Sequence, residues 1–161
     1  MNRLSFRSTI CLLRYCDAVS SSLYPLWKQS LLAGDANAAL DATVAFVLVD
    51  TATYTFDAAD QFYSDLSGIA QASGSDAVTT IANKSFTNGV FDTSDDVSTT
   101  AALDATATTY EAIVVFVDTG VAGTSRLVAY IDGFTAVAPN GGTVGINWDD
   151  GGNVLNGIFS L

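Results

Sequence analysis

The sequence predicts an all-β fold, an antiparallel β-sandwich or jelly roll entered through one short helix, and three observations predict it. "TVAFVLVD", "AIVVFVDT" and "RLVAYIDGF" are apolar runs of strand length, rich in Val and bounded by turn residues, as central strands covered on both faces are. Gly, Asn and Asp turn signals recur between some eight short strands. Helical periodicity is confined to one short stretch, and strands do not alternate with helices as a parallel sheet requires. At 161 residues the chain is long enough for one domain with a full core, and 49% hydrophobic residues against 14% charged ones argue against disorder.

Residues 1–20 differ in composition from the rest of the chain and are read as an extension, with residues 21–161 as a single sandwich domain. Arg3, Arg7 and Arg14 and both cysteines, Cys11 and Cys16, lie in this segment. Arg14 interrupts the apolar run that a signal peptide needs. Positive charge and cysteine stop near Val19, a residue that a GTG start codon would encode, so the native product is expected to begin there. The body, without cysteine, has no disulfide or thiolate metal site.

In "LYPLWKQSLLAGD", Leu23, Leu26, Trp27 and Leu31 recur at helical intervals, Pro25 suits the first turn and Gly34 the stop. The helix reads as a lid over one end of the β-structure. "ATYTF" and "AVTTIA" read as strands, "SDLSGIAQASGSD" as a loop, and "SFTNGVF" as a hairpin turning at Asn-Gly. "DAADQFYSDL" reads as a helical turn with Phe62, Tyr63 and Leu66 inward. In "TVGINWDDGGNVLNGIFSL", Val144, Ile146 and Trp148 alternate with polar positions, Asp149–Asn153 supplies a hairpin turn, and Val154, Leu155, Ile158, Phe159 and Leu161 form the returning strand. The paired carboxylates there are turn residues, since a calcium loop needs more oxygen ligands and a closing Glu, and the chain has no Glu beyond them.

The composition narrows function. There is no histidine, which removes Ser-His-Asp and Cys-His triads and His-based zinc sites. No glycine pattern cradles a nucleotide. A net charge of −11, opposed in the body only by Lys28, Lys84 and Arg126, argues against nucleic acid as a partner. No catalytic, cofactor or metal residues are assigned. One enzymatic alternative stands apart: a strand runs into Asp118-Thr119-Gly120, and Asp50-Thr51 ends a similar strand, so the two aspartates are candidates for an aspartic-protease dyad of the retropepsin type. The simpler reading makes both strand ends whose side chains bond to turn backbone.

The blocks "LVDTATYTFDAADQFYSDLSG", "GVFDTSDDVSTT", "IVVFVDTGVAGTSRLVAYID" and "PNGGTVGINWDDGGNVLNGIFSL", in that order, resemble a family of small tailed-bacteriophage proteins encoded among virion genes. The resemblance runs from about Leu23 to Leu161. It implies an accessory virion protein, a capsid decoration or cement protein on the particle exterior, made in the host cytoplasm. Its partner would be the major capsid protein, and it would associate with itself as a dimer or trimer, with no nucleic acid, membrane or cofactor. The competing implication is a tail or fibre component, or a receptor-binding module that takes carbohydrate on exposed tyrosines such as Tyr54, Tyr63 or Tyr110. Trp27 and Trp148 fall in apolar patterns and are expected to be buried.

Overall fold

The computed structural model describes residues 20–93, 97–146, 148 and 157–161. The segment 1–19 with its two cysteines, the turn Asp149–Asn153 and the positions Val154 and Leu155 lie outside the described residues. In chain order the elements are β1 (Ser20–Leu23), helix α1 (Pro25–Leu32), β2 (Val44–Val49), β3 (Gln71–Ala72), β4 (Ser75–Asp76), β5 (Thr79–Thr80), β6 (Lys84–Thr87), β7 (Val90–Thr93), β8 (Val97–Ser98), β9 (Ala112–Val117), β10 (Leu127–Asp132), β11 (Gly145–Ile146) and β12 (Phe159–Ser160). Single 3₁₀ turns cover Ala36–Ala38 and Tyr63–Asp65. Every pairing is antiparallel. The fold is all-β and sandwich-like, with one short helix.

The three Val-rich runs form the centre of a five-stranded sheet in the order β1-β10-β9-β2-β5. Every residue of β2 and β9 is buried, which explains why these strands carry no polar alternation: neither face meets water. β2 and β9 pair without a slip from Val44↔Val117 to Val49↔Ala112. That register puts Val47, Val114 and Tyr130 in one row and Phe46, Val115 and Ala129 in the next, so the two rows face opposite sides of the sheet.

The Tyr130 side is covered by residues 52–66 rather than by a second sheet. "ATYTF" forms no strand; it crosses the sheet as turn and extended chain, and its alternation serves to aim Tyr54 and Phe56 inward. Tyr54 and Phe56 meet Tyr130 at 6.2 and 6.0 Å between ring centroids, and Tyr63 meets Phe116 at 4.6 Å. Beneath them Tyr24 and Tyr54 share a 2.7 Å hydrogen bond, and the Tyr54 hydroxyl donates to Asp60 Oδ2 at 2.8 Å. Burial raises the pKa of Asp60, partly offset by the hydrogen bond from Tyr54.

On the Phe46 side the ring of Trp148 stands edge-on at 5.6 Å. The three-stranded sheet β12-β7-β6 contributes an aromatic ladder. Phe91 stacks on Phe159 at 5.1 Å, and Phe159 meets Trp27 of α1 edge-on at 5.8 Å. Trp27 is the one fully buried residue of the helix, and its indole N–H donates to Ala38 O at 2.9 Å. Pro25 opens the helix and Gly34, at φ 76°, ends it as expected. The lid is thus anchored by a single tryptophan rather than by a full stripe, and Leu23 belongs to β1.

The Asn-Gly signal is a two-residue hairpin: Asn88 and Gly89 have φ of 53° and 81°, the left-handed pair of a type I′ turn, between Thr87↔Val90. The end of the chain departs from expectation. β11 pairs with β8, and β12 pairs with β7, so "TVGIN" and "GIFSL" do not form one hairpin but tie two different sheets. "AVTTIA" is reduced to the two-residue β5 against Ala45 and Phe46.

Replacing Phe159 by Ala removes the middle of the aromatic ladder and is expected to cost ~3–5 kcal/mol, read by denaturant unfolding. Tyr54→Phe leaves the fully buried Tyr24 hydroxyl without its partner and should cost about 1–3 kcal/mol in the same assay.

Candidate functional site

The Asp-Thr-Gly turn is built from its own backbone. Asp118 follows β9, its N–H donates to Thr43 O at 2.8 Å, and its Oδ1 accepts from Gly120 N at 2.8 Å. Thr119 shares a 2.6 Å hydrogen bond with the Thr124 hydroxyl, and its N–H donates to the Ser125 hydroxyl at 3.1 Å. Gly120, at φ 79°, supplies the left-handed position of the turn. Asp50 does the same at its own turn, accepting from Ala52 N at 2.8 Å.

The two aspartates are not brought together. β2 and β9 run antiparallel, so their C-terminal ends lie at opposite ends of the sheet. Asp118 sits level with Thr43, and Asp50 is seven positions further along β2, about 23 Å away at the rise of a strand. Two carboxylates that share a proton must stand about 3 Å apart. No dyad of Asp50 and Asp118 forms within the chain.

The end of the sheet that carries Asp50 does hold a concave feature, an open cleft of about 520 Å³. Its floor is Tyr130 of β10, whose ring is walled by Phe56. Gly133, at φ 82°, turns the chain after β10 and lets half-buried Phe134 form a second wall. Glu111 enters from the residue before β9, Asp132 from the end of β10, and Thr51 and Thr55 from the turn after β2. Sequence reasoning missed this place. The residues come from separate segments of the chain, and none of them forms a spaced motif.

Glu111 is the best-held group of the cleft. A hydrogen bond from the Thr109 hydroxyl, together with the N–H and hydroxyl of Thr51 donating to Oε2 at 3.2 and 3.1 Å, keeps its carboxyl below the usual glutamate range. Burial raises the pKa of the Tyr130 phenol, and the carboxylates of Asp132 and Glu111 reinforce the rise. Tyr130 is only 4% exposed, yet its hydroxyl makes no hydrogen bond among the described residues. Among the described residues no cationic side chain lines the cleft.

Elsewhere several polar side chains are committed to architecture, although Asp92 Oδ1, Arg126 Nη1 and Trp148 Nε1 are buried without a hydrogen-bond partner among the described residues. Arg126 Nη2 meets Asp35 Oδ2 at 2.7 Å, with the guanidinium carbon 5.0 Å from the Phe62 ring centroid, and this pair ties the start of β10 to the turn after α1. Asp104 accepts from Ser73 N and Gly74 N at 2.8 and 2.9 Å, fixing the β3–β4 turn. Lys84 reaches the carbonyl of Leu40 at 2.8 Å and that of Ala42, and desolvation lowers its pKa. Among the described residues no group of three or more His, Cys, Asp or Glu side chains is placed to hold a metal ion. No helix among them is long and apolar enough to cross a membrane.

The chain matches no protein-family model, no curated protein and no solved structure.

A carboxyl held below its ordinary value contributes stability above the unfolded pKa, and that contribution disappears as pH falls through the folded one. For Glu111 the loss begins below about pH 4.5. Glu111→Gln should therefore melt lower than the parent at neutral pH and show a shallower fall in Tm on acidification below that point.

Proposed function

We propose that the protein is a non-catalytic structural component of a virus particle, a capsid decoration protein that docks on the outer surface of the major capsid protein lattice. Two lines support this reading: the resemblance of its ordered blocks to small tailed-phage virion proteins, and a strand edge, unpaired among the described residues, that carries an exposed aromatic side chain. The strand edge carries the docking argument.

Among the described residues β6 is the outer strand of the sheet β12-β7-β6. The pair that closes a two-residue hairpin is hydrogen-bonded, so by the alternation of an antiparallel ladder Phe86↔Phe91 is a non-hydrogen-bonded pair. The N–H and C=O of Phe86 consequently point away from β7, toward the open edge. Its ring lies 5.5 Å from Phe91 and is 54% exposed, the solvent end of the ladder that continues through Phe159 to Trp27.

Proteins normally blunt such an edge with an outward lysine. Here the one charged residue of the strand, Lys84, is turned back onto the carbonyls of Leu40 and Ala42. The edge is left neutral on a chain of net charge −11. Like charge would hold such molecules apart elsewhere on their surfaces, whereas this strip combines unpaired backbone groups with apolar area, the features that strand addition to a neighbouring subunit uses.

Quantitative mass spectrometry of purified particles from the genome that carries this gene is expected to give the protein in a simple whole-number ratio to the major capsid protein. A small fraction of that amount would assign it to the tail, and absence from particles would refute the reading. Phe86→Asp should abolish rebinding of the purified protein to particles that lack it, with little change in Tm because the ring is already half in water.

A further inference from the structure

We propose that the cleft between Phe56 and Phe134 is a binding site for a neutral sugar, such as the terminal residue of a glycan. The proposal does not rest on the decoration reading, because the cleft and the β6 edge have no residue in common.

The chemistry of the lining selects the ligand. Two aromatic side chains, Phe56 and Phe134, stand at the walls with Tyr130 between them, and ring faces of this kind pack against the C–H face of a pyranose. Glu111 and Asp132 accept hydrogen bonds, and sugar hydroxyls donate them in adjacent pairs that suit a carboxylate. With two carboxylates and, among the described residues, no cation in the lining, the cleft disfavours phosphates, nucleotides and acidic sugars. The volume of about 520 Å³ lies within the range of small-molecule sites.

Tyr130 adds a hydroxyl that the protein leaves available to a ligand. Buried phenols almost always have a hydrogen-bond partner. The neighbouring Tyr54 has two, Tyr24 and Asp60, and Tyr63 has Asp76 at 2.7 Å. The ring of Tyr130, which lines the cleft, is at least as buried as either, but its hydroxyl is not sealed from solvent and no protein group among the described residues engages it. A sugar hydroxyl over the ring would supply one. Glu111 is already fixed by Thr51, so the acceptor is oriented before a ligand arrives, as a preorganised site requires.

The test is a titration of isotope-labelled protein with galactose, glucose, N-acetylglucosamine, lactose and maltose, followed by amide chemical shifts, with choline and inorganic phosphate as comparison ligands. At least one sugar is expected to give saturable shifts at Thr51, Phe56, Gly133 and Phe134 with a millimolar dissociation constant, and phosphate is expected to give none. Tyr130→Phe removes one unpartnered hydroxyl, so Tm should stay unchanged while sugar affinity falls about fivefold, the worth of one hydrogen bond. Absence of saturable shifts with every sugar would overturn the proposal. So would a stronger response to choline, which would make the site a cation cage, or a Tyr130→Phe variant that binds as tightly as the parent.

Discussion

The pairing of β2 with β9 is the constraint on which the rest of the structure depends. Both strands are buried along their whole length, so every backbone N–H and C=O in them must find its partner within the sheet. β9 does so between β10 and β2, and β2 between β9 and a patchwork of β5, Ile81 N, Ala70 N and the bridge to Ile69. Two apolar faces then have to be covered. The molecule covers one with the aromatic crossing of residues 52–66 and the other with Trp148 and a short-stranded layer, which is why so much of the chain is irregular yet packed.

That solution distributes the polar residues. Seventeen acids on a chain with six basic residues cannot be neutralised by ion pairs, and among the described residues one salt bridge, Asp35 with Arg126, is formed. Asp50, Asp57, Asp65, Asp104 and Asp118 instead accept backbone N–H groups at turns. The same behaviour accounts for the Asp-Thr-Gly motif. A strand that ends on Asp-Thr-Gly needs its carboxylate to hold the turn, and the antiparallel order of β2 and β9 sends the echo at Asp50-Thr51 to the far end of the sheet.

What the sequence revealed was local. Continuous Val-rich runs announce strands covered on both faces, Pro25 and Gly34 bound the helix, and Asn88-Gly89 dictates its hairpin, because each signal is contained within a few residues. What it concealed depends on partners far along the chain. "ATYTF" has the alternation of a strand, but its backbone finds no neighbouring ladder, and the alternation serves only to send Tyr54 and Phe56 inward. "GIFSL" reads as the return of "TVGIN", yet Phe159 pairs with Phe91 and stands in the aromatic ladder that runs down to Trp27. The cleft was hidden for the same reason: Thr51, Glu111 and Asp132 are widely separated along the chain and meet only because β2, β9 and β10 are neighbours.

Native-state hydrogen exchange distinguishes a doubly covered sheet from a strand whose outer edge, among the described residues, is open at β6. The amides of Ala112–Val117 should exchange only through global unfolding, while the Phe86 amide, which points away from β7, should exchange orders of magnitude faster. A Phe86 amide as protected as that of Val114, or rapid exchange within β9, would contradict this picture.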